Sequence, residues 1–123
     1  MARILIAEDD DAIRELVARA LGEDGHELTA APDGAAALDA LSGKNGEFDL
    51  LLTDVRMPVM DGIALALAAG RSHPDLTIML MTGYADQRER AHDLDALVHD
   101  VINKPFTVEQ IKGAVREALV ARH

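Results

Sequence analysis

Residues 48–58 read Phe48-Asp49-Leu50-Leu51-Leu52-Thr53-Asp54-Val55-Arg56-Met57-Pro58. Three consecutive leucines end in a threonine and an acid, and Pro58 forbids the run from continuing. A strand covered on one face alternates apolar with polar residues, whereas a strand covered on both faces reads as an unbroken apolar run. The stretch therefore predicts a central strand with Asp54 at its carboxyl end. In open parallel sheets, ligands bind in the crevice outside those ends. Taken alone, Asp54 reads first as a turn residue, because Asp is common in turns. The neighbouring segments reverse that reading.

Toward the N-terminus, Arg3 to Ala7 is a second buried run, followed at once by Glu8-Asp9-Asp10-Asp11. Ile13, Leu16, Val17, Ala20 and Leu21 then recur at helical spacing, with Asp10 or Asp11 as cap and Gly22 or Gly25 as terminator. His26 to Ala31 predicts a short strand. Asp33 caps a small Ala-rich helix over Ala35 to Leu41. Toward the C-terminus, Ile63 to Ala69 predicts a helix that ends near Gly70. Leu76 to Met81 predicts a fourth strand closed by Thr82-Gly83. Asp86 to Leu97 carries only a thin apolar stripe and predicts an exposed helix. Val98 to Ile102 predicts a fifth strand, followed by Lys104-Pro105-Phe106. Thr107 and Gln110 form a capping box for a last helix, whose apolar face is Val108, Ile111, Val115, Ala118 and Leu119.

Five strands alternating with five helices imply parallel pairing, right-handed crossovers and helices on both faces of a doubly wound α/β sheet. The length of 123 residues suits one domain. With no Cys, disulfides and thiol chemistry are excluded. No stretch has the roughly 20 apolar residues of a membrane helix, and no leader is apparent, so a soluble cytoplasmic protein is expected. The net charge of −10 opposes direct binding to a nucleic-acid backbone.

Glu8, Asp9, Asp54, Thr82 and Lys104 each follow a predicted strand, so such a sheet gathers them on one rim. Three carboxylates in one place repel unless a partner relieves them. A hard cation such as Mg²⁺ would do so, held by carboxylates and waters. A carboxylate is also a competent nucleophile toward phosphorus, giving an aspartyl phosphate. Lys104 supplies a compact positive charge for a phosphoryl oxygen, and Thr82 a hydroxyl for another.

The segments Ile4 to Asp10, Leu51 to Gly62, Met79 to Gly83 and Lys104 to Phe106, in that order, resemble the response-regulator receiver domains of two-component signalling. The resemblance spans the chain and implies a flavodoxin-like three-layer (βα)5 fold of strand order 2-1-3-4-5, with residues 1–123 as a single receiver and no output domain. It implies Asp54 as phosphoacceptor and Asp9 as direct Mg²⁺ ligand. Glu8 would act through water, and the Arg56 backbone carbonyl would be a further ligand. Lys104 and Thr82 would contact the phosphoryl group, and Pro105 would follow a cis peptide. The implied donor is a phosphohistidine on a sensor histidine kinase or phosphotransfer protein, and the implied output is a partner protein, the receiver being a monomer or a weak dimer. It would be no enzyme beyond catalysing its own phosphorylation and dephosphorylation.

The chain departs from the family pattern at four places. Glu8 stands where Asp is commoner. Val101 stands where a switching aromatic is usual. Tyr84, the only Tyr, is the candidate to order the loop after Thr82 in its stead. Arg56 and Tyr84 are bulky at positions bordering the attacking water's path. Two other readings compete. A phosphorelay intermediate would use the same residues, whereas a dehalogenase-type phosphatase needs an acid where Arg56 stands.

Overall fold

The computed structural model describes residues 2–43, 47–83 and 97–121. Its elements are β1 (Arg3–Ala7), α1 (Asp11–Glu23), β2 (Glu27–Ala31), α2 (Gly34–Ser42), β3 (Leu50–Asp54), α3 (Gly62–Ser72), β4 (Thr77–Thr82), β5 (Asp100–Asn103) and α4 (Val108–Ala121). The strands form one parallel sheet in the order β2-β1-β3-β4-β5. This is the doubly wound α/β architecture, with the flavodoxin-like order.

The unbroken apolar runs have a direct cause. Successive side chains point to opposite faces of a strand, and both faces here are covered. Leu5, Leu51, Ile78 and Leu80 pack with Ala37, Leu41, Leu65 and Ala66 of α2 and α3. Ile4, Ile6, Leu50, Leu52 and Met81 pack on the other face with Val17, Leu21, Ile111 and Val115 of α1 and α4. Every residue of β3 is buried. Each fully buried Leu contributes about 2 kcal/mol, so the centre of the sheet is its most firmly held part.

Asp10, Asp33 and Asp61 each cap a helix, accepting from the backbone N–H three residues on at 3.0, 2.8 and 2.9 Å. Thr107 and Gln110 bond reciprocally, as a capping box requires.

Four expectations change in detail. β2 begins at Glu27 and is mostly exposed, because it is an edge strand. α1 runs through Gly22 and ends at Glu23, and Gly25 takes the left-handed φ of 86°. α3 continues through Gly70 to Ser72. A Cβ at Gly70 would lie 2.1 Å from Leu97 Cδ1, so that side chain would have to move. β5 starts at Asp100 and reaches Asn103. The Asp100 carboxylate takes the N–H of Val101 at its start, and Lys104 follows the strand directly. Four helices lie among the described residues; the helix expected over Asp86 to Leu97 falls almost entirely outside them.

Candidate phosphoryl-transfer site

Four strand ends, those of β1, β3, β4 and β5, build the rim. Glu8 follows β1, and its N–H still pairs with the Ala31 carbonyl of β2 at 3.1 Å. Asp54 is the last residue of β3. Lys104 follows β5, and its N–H donates to the Thr82 carbonyl at 2.8 Å. Parallel register thus brings residues far apart in sequence to one edge, Thr82 opposite Asn103 and Asp54 opposite Met81. The peptide between Lys104 and Pro105 is cis, as the resemblance implies.

The Lys104 ammonium donates to Glu8 Oε1 at 2.5 Å and lies 3.3 Å from Asp54 Oδ1. The second Glu8 oxygen accepts from the Asp10 N–H at 3.1 Å. Glu8 is 0% exposed and Asp54 6%, while Asp9 faces solvent. One carboxylate oxygen from each of the three acids lies within 4.8 Å of the others.

Burial pushes the Glu8 carboxyl up to about 7, against the lowering effect of its hydrogen bonds from Lys104 and the Asp10 N–H, while the Asp54 charge adds to the rise. Burial also raises Asp54, with Lys104 opposing and the Asp9 charge adding. For Lys104, burial works against its charge, but the Glu8 hydrogen bond and the Asp54 charge outweigh it and hold the ammonium above its ordinary value. One ammonium thus serves two buried carboxylates beside a third. Oxygen donors in a partly open site are the donor set that Mg²⁺ takes, so these residues fit that ion.

The loop after β3 is pinned at several points. The buried Thr53 hydroxyl donates to the Asp54 carbonyl at 2.9 Å. Val55 N–H donates to the Met81 carbonyl at 3.0 Å, and Gly62 N–H to the Val55 carbonyl at 2.8 Å. A Cβ at Gly62 would lie 2.0 Å from the Asp54 carbonyl oxygen, so only glycine fits. Val59 adopts φ 71° and is 86% exposed.

A groove of about 590 Å³ opens beside the acids. Arg56 and Lys104 line it, and so do the apolar side chains Ile13, Leu16 and Phe106. Of the residues singled out from sequence, Glu8, Asp9, Asp54 and Lys104 come together. Thr82, the last residue of β4, is buried at the same edge of the sheet. Val101 is half-buried and packs toward the α2 and α3 side of the sheet. Tyr84 lies outside the described residues. The sequence reading missed Thr53, Arg14 and the apolar wall. Arg14 had a signal, being a cation in the first turn of a helix, where the dipole disfavours it.

The sequence matches the family described as response regulator receiver domain over residues 4–116. It is 38% identical over 121 residues to the response regulator receiver protein CpdR of Brucella abortus (strain 2308), covering 98% of this chain and 99% of that protein. Among solved structures, a CheY-like response regulator receiver domain protein from Methanospirillum hungatei JF-1 superimposes with a TM-score of 0.90 at 29% identity, over 99% of this chain and 96% of that one. The response regulator protein TrrA from Thermotoga maritima, solved in complex with Mg(2+)-BeF, superimposes with a TM-score of 0.83 at 30% identity, over 96% and 99%. The family match begins within β1 and ends within α4, so it takes in the whole sheet and its rim, and the chain belongs to the response regulator receiver domains of two-component systems.

Proposed function

We propose that this receiver accepts a phosphoryl group on Asp54 from a phosphohistidine donor and thereby changes a surface that a partner protein reads. The observation that carries the reading is the Lys104 ammonium, 2.5 Å from Glu8 and 3.3 Å from Asp54, beside the third carboxylate of Asp9. In the transfer, an Asp54 carboxylate oxygen bonds to phosphorus as the phosphorus–nitrogen bond of the donor imidazole breaks. The imidazole nitrogen keeps that electron pair. Lys104 turns from Asp54 to a phosphoryl oxygen, and the Thr82 hydroxyl donates to another. Asp9, Asp54 and the Arg56 carbonyl would hold Mg²⁺, and Glu8 would act through water. When bound, the ion supplies positive charge to the phosphoryl oxygens. The similarity to TrrA, solved with Mg(2+)-BeF, supports that choice of ion.

The apolar wall of Ile13, Leu16 and Phe106 suits a donor helix that presents its histidine between apolar neighbours. The donor is a sensor histidine kinase or a phosphotransfer protein. The receiver acts in the cytoplasm, catalysing only reactions of its own phosphoryl group.

The test is intact-mass measurement after incubation with a small phosphodonor, with and without Mg²⁺. A Mg²⁺-dependent phosphoryl addition, lost in Asp54→Ala, is expected. No addition with Mg²⁺, or equal addition to the variant, refutes the reading.

A further inference from the structure

We infer that Arg14 is a positioning residue for the Asp9 carboxylate, and so for divalent-cation binding at the rim; the inference rests on the function proposed above. Arg14 sits in the first turn of α1, where a cation opposes the helix dipole. Its place has another explanation. Nη1 donates to the main-chain carbonyl of Glu8 at 2.9 Å, and Nη2 donates to the Asp11 carboxylate. The Arg14 side chain is 23% exposed, and its contact to the Glu8 carbonyl is half-buried.

The Glu8 carbonyl and the Asp9 N–H belong to one peptide plane. Holding the carbonyl therefore fixes the plane on the N-terminal side of Asp9. The plane on its C-terminal side is held through the Asp10 N–H, which donates to Glu8 Oε2 at 3.1 Å. Asp10 is itself locked as the α1 cap. Asp9 thus hangs between two fixed peptide planes, although its own side chain is exposed. Without Arg14 one plane is freed, and the Asp9 carboxylate loses its direction toward Glu8 and Asp54. Arg14 thus acts through Asp9, not by touching the ion or the phosphoryl group.

Electrostatics and positioning predict opposite signs, which makes the test sharp. Arg14→Met removes a cation near three acids, so charge alone would tighten Mg²⁺ binding. Loss of positioning would weaken it, on the order of tenfold, as is usual when a group orienting a metal ligand is removed. The measurement is calorimetric titration of the metal-free protein with MgCl₂, with the metal-free melting temperature as the folding control. We expect Mg²⁺ affinity to fall about tenfold in Arg14→Met and less in Arg14→Lys, which keeps one donor. Affinity equal to or tighter than wild type in Arg14→Met overturns the inference while leaving the proposed function standing. Should Arg14→Met fail to fold, Arg14→Lys carries the comparison: it keeps the charge, so weaker binding than wild type supports positioning, and affinity equal to wild type refutes it. Wild-type protein that binds no Mg²⁺ overturns the proposed function and this inference together.

Discussion

At the scale of single residues, Glu8 and Val59 show opposite kinds of tension. Glu8 has no exposed surface and competes with Asp54 for one ammonium. Its carboxyl rises from 4.5 to about 7, burial being the main cause. A raised carboxyl favours the protonated form in the folded state, so its stabilising effect is full below pH 4.5 and is lost as pH climbs through about 7. Metal-free protein should therefore lose melting temperature between roughly pH 4.5 and 7 through this group, and the loss should be smaller in Glu8→Gln. Thermal melts across that range, in buffer with chelator, check it; parallel curves for the two proteins would refute it. Val59 is a β-branched residue with positive φ and almost no burial. Glycine adopts that conformation freely, so Val59→Gly should raise stability by up to about 1 kcal/mol, measured by chemical denaturation. A loss of stability would show that the Val59 side chain is needed.

At the scale of elements, the glycines divide by what surrounds them. Gly62 opens α3 directly beneath the carbonyl of Asp54, and a Cβ there would lie 2.0 Å from that oxygen. Gly62→Ala should therefore cost about 2–3 kcal/mol by forcing backbone to move. It should also lower the rate of phosphorylation of Asp54, because the displaced backbone belongs to that residue. Denaturation and phosphorylation kinetics on one preparation check both parts; normal kinetics in a folded variant would separate the two. Gly113 offers a control, since a Cβ at that helical position meets nothing within 4 Å, and Gly113→Ala should stabilise α4 by roughly 0.5–1 kcal/mol. Helix starts were legible in the sequence because caps are local: Asp10, Asp33 and Thr107 each act within three residues. The end of α3 was not legible, because Gly70, a residue type that often ends helices, here stays within the helix, which runs on to Ser72.

At the scale of the molecule, a net charge of −10 and three carboxylates gathered around one ammonium make a cation the natural stabiliser. Mg²⁺ should raise the melting temperature of the wild type, by the equivalent of about 2.7 kcal/mol at a hundredfold excess over its Kd. It should raise Asp9→Ala and Asp54→Ala much less; equal shifts in all three would put the ion elsewhere. The parallel doubly wound sheet was determined by sequence alone, because faces covered on both sides require unbroken apolar runs, and such runs are visible residue by residue. The rim was determined with it, since each rim residue stands beside the end of a run. Only the tertiary structure decided how the rim residues are connected. Lys104 pairs with Glu8 across 96 positions of sequence, Arg14 reaches back to a carbonyl, and Val101 packs toward α2 and α3. Strand register and helix docking set those contacts, and they act between residues that no local period relates.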